Sequence, residues 1–166
     1  MTRVINLYGG PCSGKSTTAS KLFAIMKEQG YKVELVTEYA KELTYAGADM
    51  SNQLLITGTQ YERMRVLRGN VDYIITDSPI LLGTVYCDSH IKRALQLILQ
   101  DLYLGFDNLD VFLHRSGKYD NYGRSQTEDE AIEKDKLILG LPITFSHVPK
   151  YNTQLIMNLL GEKWNV

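Results

Sequence analysis

Gly9-Gly10-Pro11-Cys12-Ser13-Gly14-Lys15-Ser16 matches the pattern G-x-x-x-x-G-K-[ST] at every specified position. Residue types at this spacing bind an oligophosphate. The glycines permit backbone angles closed to other residues and let the chain approach a ligand closely. Successive N–H groups then converge on a phosphate, helped by the N-terminus of the helix that follows. Lys15 should reach the β- and γ-phosphates of ATP, the hydroxyl of Ser16 should ligate Mg²⁺, and Thr17 closes the nucleotide-binding segment. The alternative is a chance glycine turn. At average residue usage, four specified positions would match somewhere in a chain of this length on the order of one time in a hundred or two.

Two acids complement this loop. Asp77 ends the apolar run Tyr73-Ile74-Ile75-Thr76. A carboxylate at a strand end beside a phosphate loop can hold Mg²⁺, directly or through water. Its bland reading is a turn aspartate before Ser78-Pro79. Glu38 lies in Thr37-Glu38-Tyr39-Ala40. It could accept a proton from a substrate hydroxyl or bind two hydroxyls; otherwise it is a first-turn glutamate favoured by the helix dipole.

The basic segment 114–126, HRSGKYDNYGRSQ, carries Arg115, Lys118 and Arg124 among glycines and tyrosines. A lid over a triphosphate would exclude water and bring an arginine to the transferring phosphoryl group. Arg124 is the preferred catalytic arginine and Arg115 the second, with a solvated polar loop as the alternative. The 51–68 stretch adds Gln60, which can both donate and accept toward a base or amide edge, together with Arg63, Arg65 and Arg68. Tyr39, Tyr45 or Tyr61 could stack on a ring. His90, His114 and His147 show no catalytic pairing in sequence.

Positioning these groups requires strands that end where they stand. Residues 3–8, 32–37, 71–77, 109–114 and 143–148 read as strands. Residues 15–29, 39–46, 51–68, 89–104, 127–139 and 151–161 read as helices. Ser51 is a candidate N-cap and Gly69 a stop. Thr127 with Glu130 forms a capping-box pattern. Strands alternating with helices imply an α/β fold with a five-stranded parallel sheet flanked by helices in three layers. In such sheets ligands bind beyond the C-terminal strand ends, which is where the loop, Glu38, Asp77 and the basic segment fall.

Composition sets the outer limits. The chain has 166 residues, one domain's length, with 44% hydrophobic and 22% charged residues, enough for an ordinary core. A net charge of −1 argues against a dedicated duplex-DNA binder. Cys12 and Cys87 lie far apart in sequence, with no metal-ligand spacing. No apolar run is long enough to span a membrane, and the start shows no signal-peptide pattern. The expectation is a soluble, cytoplasmic single domain over residues 1–166, its lid near 115–126, with the oligomeric state open.

The chain resembles small P-loop kinases of the nucleoside and nucleotide kinase group. It is most similar to the ribosylnicotinamide kinase domain of the bifunctional NAD-biosynthesis regulator. The residues that carry the likeness are Ser13-Gly14-Lys15-Ser16-Thr17, Glu38-Tyr39-Ala40-Lys41-Glu42, Gly58-x-Gln60-Tyr61, Thr76-Asp77, the Tyr86-Cys87 region and Gly123-Arg124. The resemblance implies ATP-dependent phosphorylation of a small ribosyl or deoxyribosyl substrate such as nicotinamide riboside, with Glu38 on the substrate hydroxyls. The chain departs from the family in the lid, where Asp120 and Gly123 are not adjacent. The competing readings are a nucleoside monophosphate kinase using Arg63, Arg65 and Arg68 on the acceptor phosphate, a nucleic-acid hydroxyl kinase, and a P-loop NTPase switch with no acceptor.

Overall fold

A computed structural model describes residues 1–87, 90–115 and 127–166. Five strands form one all-parallel sheet: β1 (Arg3–Tyr8), β2 (Val33–Val36), β3 (Tyr73–Thr76), β4 (Asp107–His114) and β5 (Ser146–Pro149), in the order β2-β3-β1-β4-β5. β1 is central and almost wholly buried, so the segment after it emerges at the middle of the C-terminal edge. Asn6 of β1 registers with both Thr76 of β3 and Asp110 of β4.

Helices cover both faces, as parallel strands buried on both sides require. One layer holds α1 (Lys15–Glu28) and α7 (Thr153–Trp164), which pack Leu22, Met26, Ile156 and Leu160 on Ile5, Leu7, Ile75 and Val111. The other holds α3 (Gln53–Arg65), α4 (Leu82–Tyr86), α5 (Lys92–Leu104) and α6 (Glu128–Leu139), which pack Met64, Val85, Leu95, Leu99 and Ile138 on Val4, Tyr8, Ile74 and Phe112. The alternation of β1 side chains between the two clusters is the period-2 signature of a strand. α2 (Tyr39–Tyr45) buries no residue.

Several boundaries differ from the sequence expectation. Asn52, not Ser51, caps α3 by accepting from Leu55 N–H; Ser51 instead donates to Asp49. The predicted helix 89–104 begins at Lys92, and α4, too short for a periodic signal, was absent from the sequence reading. The fifth strand lies at Ser146–Pro149 rather than 143–148: pairing with β4 begins at Ser146, and Ile143 and Phe145 before it pack on the cluster that holds Phe112. The capping box forms as expected: Glu130 N–H donates to Thr127 Oγ1, and the Glu130 carboxylate accepts from Thr127 N–H. No helix among the described residues is long and apolar enough to cross a membrane.

Candidate active site at the C-terminal edge of the sheet

The glycine-rich loop links β1 to α1 by way of two positive-φ glycines, Gly9 at 138° and Gly14 at 84°. Side chains are excluded there twice over. A Cβ on Gly9 would lie 2.6 Å from Ser13 Oγ, and one on Gly14 would lie 2.7 Å from Tyr151 Cε1. The loop closes with Ser13 N–H donating to Gly10 O at 3.3 Å. The first turn of α1 carries no acidic residue, and Gly14 can offer no side-chain cap. The N-terminal N–H groups and the positive end of the helix dipole are therefore available to an anion. Lys15 Nζ lies along the loop, donating to Gly9 O at 2.6 Å and Gly10 O at 3.1 Å.

Asp77 follows β3 immediately and is 4% exposed. Its neighbour Thr76 accepts from Ser78 N–H at 3.1 Å, turning the chain away from the sheet. Asp77 Oδ1 is buried without a hydrogen-bond partner among the described residues. An orphan anionic oxygen in a buried position carries a desolvation cost that a cation would offset. Ser16, exposed at the start of α1, offers a hydroxyl from the neighbouring strand connection. A carboxylate and a hydroxyl are hard oxygen donors, so this pair fits Mg²⁺ by chemistry.

Glu38 stands two residues beyond β2, at the N-cap position of α2, but its side chain caps nothing in that helix. The bracing comes from Gln60. Its Oε1 accepts from Tyr39 N–H at 3.1 Å, and its Nε2 donates to Thr76 Oγ1 at 3.4 Å. Gln60 is 2% exposed, so its amide ties the start of α2 to the end of β3 instead of facing an open pocket. Arg63 makes a bidentate pair with Glu42 at 2.8 and 2.7 Å, and its guanidinium lies 4.9 Å from the centroid of the Tyr39 ring. Its hydrogen bonds hold the Glu42 carboxyl below the usual range. Arg65 pairs with Glu62, and Arg68 sits over Phe106.

Tyr86, at the end of α4, belongs to the same space. Burial pushes its phenol up to about 12, with the Glu38 and then the Asp135 carboxylates adding to the effect. The ring is thus within the field of one acid from the β2 edge and one from α6, and Lys134 Nζ lies 4.9 Å from its centroid.

In the remaining wall Arg115 is a sequence candidate, whereas Asp135, Lys150 and Tyr151 are not. Asp135 of α6 accepts from Gly10 N–H at 2.6 Å through Oδ1. Its Oδ2 pairs with Arg115, which also donates to Pro11 O at 2.9 Å. On the opposite side Lys150 and Tyr151 crowd Gly14. Tyr151 adopts φ 67°, with Lys150 and Lys21 ammonium groups 4.8 and 5.5 Å from its ring centroid. Asp135 is one acid among many in α6, and nothing in its local sequence distinguishes it. His114 and His147, which show no catalytic pairing in sequence, stack with Nε2 and Nδ1 2.8 Å apart, His114 at the end of β4 and His147 within β5. Arg124, Lys118 and the expected lid across 116–126 lie outside the described residues.

Comparison with known proteins places this arrangement. The profile of the AAA domain family matches residues 4–147, which spans β1, the glycine-rich loop and all of the sheet to within β5. The chain belongs to the AAA domain family. No curated protein matches the sequence. Among solved structures, this AAA domain protein is similar to deoxyadenosine kinase from M. mycoides with bound dATP, at 19% identity and a TM-score of 0.59, over 95% of this chain and 99% of that one. It is similar to the NadR protein in complex with NR at 15% identity and a TM-score of 0.70, over 99% of this chain but only 52% of that one. A mutant of the APS kinase CysC of Mycobacterium tuberculosis matches at 17% identity and a TM-score of 0.50, over 96% and 97% of the two chains. Likenesses at this identity establish the fold: a five-stranded parallel P-loop kinase architecture.

Proposed function

We propose that this protein is an ATP-dependent kinase that transfers the γ-phosphoryl group to a hydroxyl of a small nucleoside-type acceptor, nicotinamide riboside or a related nucleoside. One observation carries the reading. Glu38, half-buried two residues beyond β2, acts by its charge on the Tyr86 phenol, as does Asp135 of α6, and Asp135 in turn accepts from Gly10 N–H of the glycine-rich loop. A carboxylate at that edge can accept the proton of an acceptor hydroxyl, and the acceptor-free control below separates that role from activation of water. The whole chain, 1–166, is then one kinase domain, with residues 9–17 and Arg115 on the ATP side and Glu38 and Tyr39 on the acceptor side.

In this mechanism the loop amides and Lys15 hold the β- and γ-phosphates. Arg115, and Arg124 in the lid reading, neutralise charge on the transferring group. Glu38 accepts the proton of the acceptor hydroxyl as its oxygen bonds to the γ-phosphorus and the bond to the β–γ bridging oxygen breaks, leaving ADP. Mg²⁺, held by Ser16 and Asp77, would screen the negative charge of the phosphates when bound. Gln60 fixes the start of α2 and so the direction of Glu38.

The state of the arginines on and just after α3 supports a neutral acceptor over a nucleoside monophosphate. Arg63 is engaged by Glu42 and Tyr39, Arg65 by Glu62 and Arg68 by Phe106. An acceptor phosphate at Arg63 or Arg65 would compete with the negative charge of Glu42 or Glu62 already paired there. The test is ADP formation, with mass analysis of the product, on a panel of nucleosides, their monophosphates and an acceptor-free control. ADP release should depend on a nucleoside. Equal release without any acceptor refutes the kinase reading, and monophosphates outcompeting nucleosides refute the neutral acceptor.

A further inference from the structure

We infer that Asp135 is a positioning residue for the ATP side of the site: it fixes Arg115 against the glycine-rich loop so that the guanidinium meets the triphosphate ready-oriented. The inference rests on the proposed ATP site. Its geometry is independent of the acceptor.

Asp135 bridges two places that no other described carboxylate touches together. Oδ1 accepts from Gly10 N–H at 2.6 Å, and Oδ2 pairs with Arg115. Arg115 closes the triangle by donating to Pro11 O at 2.9 Å. The two side chains are 17% and 20% exposed, so solvent screens the pair only partly. The helix is seated as tightly as the carboxylate. A Cβ on Gly10 would lie 2.7 Å from Ala131 O and 2.7 Å from Asp135 Oδ1. Arg115 directly follows β4 and Asp135 lies in α6, so this one carboxylate ties together the loop, the end of β4 and α6. A guanidinium has five N–H donors. Among the described residues the partners of Arg115 are Pro11 O and Asp135, and its other donors suit a phosphate oxygen.

Simple electrostatics makes the opposite forecast for the same residue, which makes the inference testable. A carboxylate beside a triphosphate repels it, so removing the charge should tighten binding. If Asp135 positions Arg115, removing it should weaken binding, because the arginine loses its fixed geometry and must be ordered on each binding event.

The experiment measures affinity for a non-hydrolysable ATP analogue by calorimetry, without acceptor, for the full chain and for Asp135→Asn, Asp135→Ala, Arg115→Ala and the double variant Asp135→Ala/Arg115→Ala. Unfolding midpoints are recorded alongside. Asp135→Asn can keep its oxygen on Gly10 N–H but then sets an amide N–H₂ against Arg115, so it reads the pairing even where Asp135→Ala folds poorly. The expected result is a loss of about 10- to 100-fold for each single variant, the range of a charge-assisted hydrogen bond. The double variant should be no weaker than Arg115→Ala. Unchanged or tighter binding in Asp135→Asn overturns the inference, as do losses that multiply in the double variant. If the wild-type protein transfers no phosphoryl group yet the variants lose affinity as described, the kinase reading fails and the positioning role stands. If the wild type transfers normally and the variants bind as well as it does, the positioning role fails alone.

Discussion

Asp110 should make the protein less stable as pH rises toward neutrality, against the usual behaviour of a carboxylate. It lies in the middle of β4, 6% exposed, away from the strand ends where the site is built. Burial raises its pKa from 3.8 to about 6, although hydrogen bonds from Tyr103 and Asn6 and the charge of Lys163 pull it the other way. Tyr103 Oη donates to Oδ2 at 2.5 Å and Asn6 Nδ2 to Oδ1 at 3.1 Å. The folded state therefore holds this proton more tightly than the unfolded chain does. That contribution is fully present below the unfolded pKa of 3.8 and is lost as pH rises through about 6. At about 1.4 kcal/mol per pH unit the loss totals about 3 kcal/mol, a sizeable part of the roughly 5–15 kcal/mol that keeps a domain folded. Roughly half of it falls between about pH 5 and pH 7.5. Asp110→Asn removes the titration. The amide also sets an N–H₂ group against one of the two donors, but that cost is the same at every pH, so the slope and not the offset carries the information. Urea unfolding of both proteins across this range should show the wild type losing stability relative to the variant by about 1.5 kcal/mol. A flat difference, or a wild type that gains on the variant as pH rises, would refute the reasoning.

Three further outcomes follow from the site geometry. Gly14→Ala forces a Cβ at φ 84° to within 2.7 Å of Tyr151. ATP-analogue affinity measured by calorimetry should fall by at least about tenfold, since a left-handed alanine alone costs about 1–2 kcal/mol; wild-type affinity would count against the cradle as described. Gln60→Ala leaves Tyr39 N–H without its acceptor. It should lower unfolding free energy by about 1–3 kcal/mol and raise the acceptor KM while sparing the KM for ATP; an effect on ATP alone would place Gln60 on the other side of the site. Glu38→Gln should cut kcat by about 10²- to 10⁴-fold, the worth of a general base, with ATP-analogue binding intact. Full activity would remove Glu38 from the proton path.

The parts of the fold visible in sequence are those whose cause is local. α6 could be placed because Thr127 and Glu130 satisfy each other's backbone across one turn. The five strands could be counted because burial on both sheet faces demands apolar runs. α4 left no trace, since its five residues offer no period, and Asn52 displaced Ser51 as a cap because Ser51 turns to Asp49. Gln60 was noticed for its amide, but only the packed structure shows that amide turned inward onto Tyr39 and Thr76. The arginines of α3 looked alike in sequence, and their ion pairs and ring contacts distinguish them.

Taken alone, the eight residues from Gly9 to Ser16 determine a phosphate cradle, because its chemistry resides in consecutive backbone N–H groups and the two glycines that shape them. The wall around that cradle belongs to the tertiary structure. Asp135 reaches Gly10 across 125 positions, Arg115 reaches Pro11 across 104, and Tyr151 packs on Gly14 from the far end of the chain. Strand order brings these together. β1 lies between β3 and β4, with β5 beyond, so side chains remote in sequence gather at one edge. Local periodicity records which residues are buried but not which strand ends become neighbours.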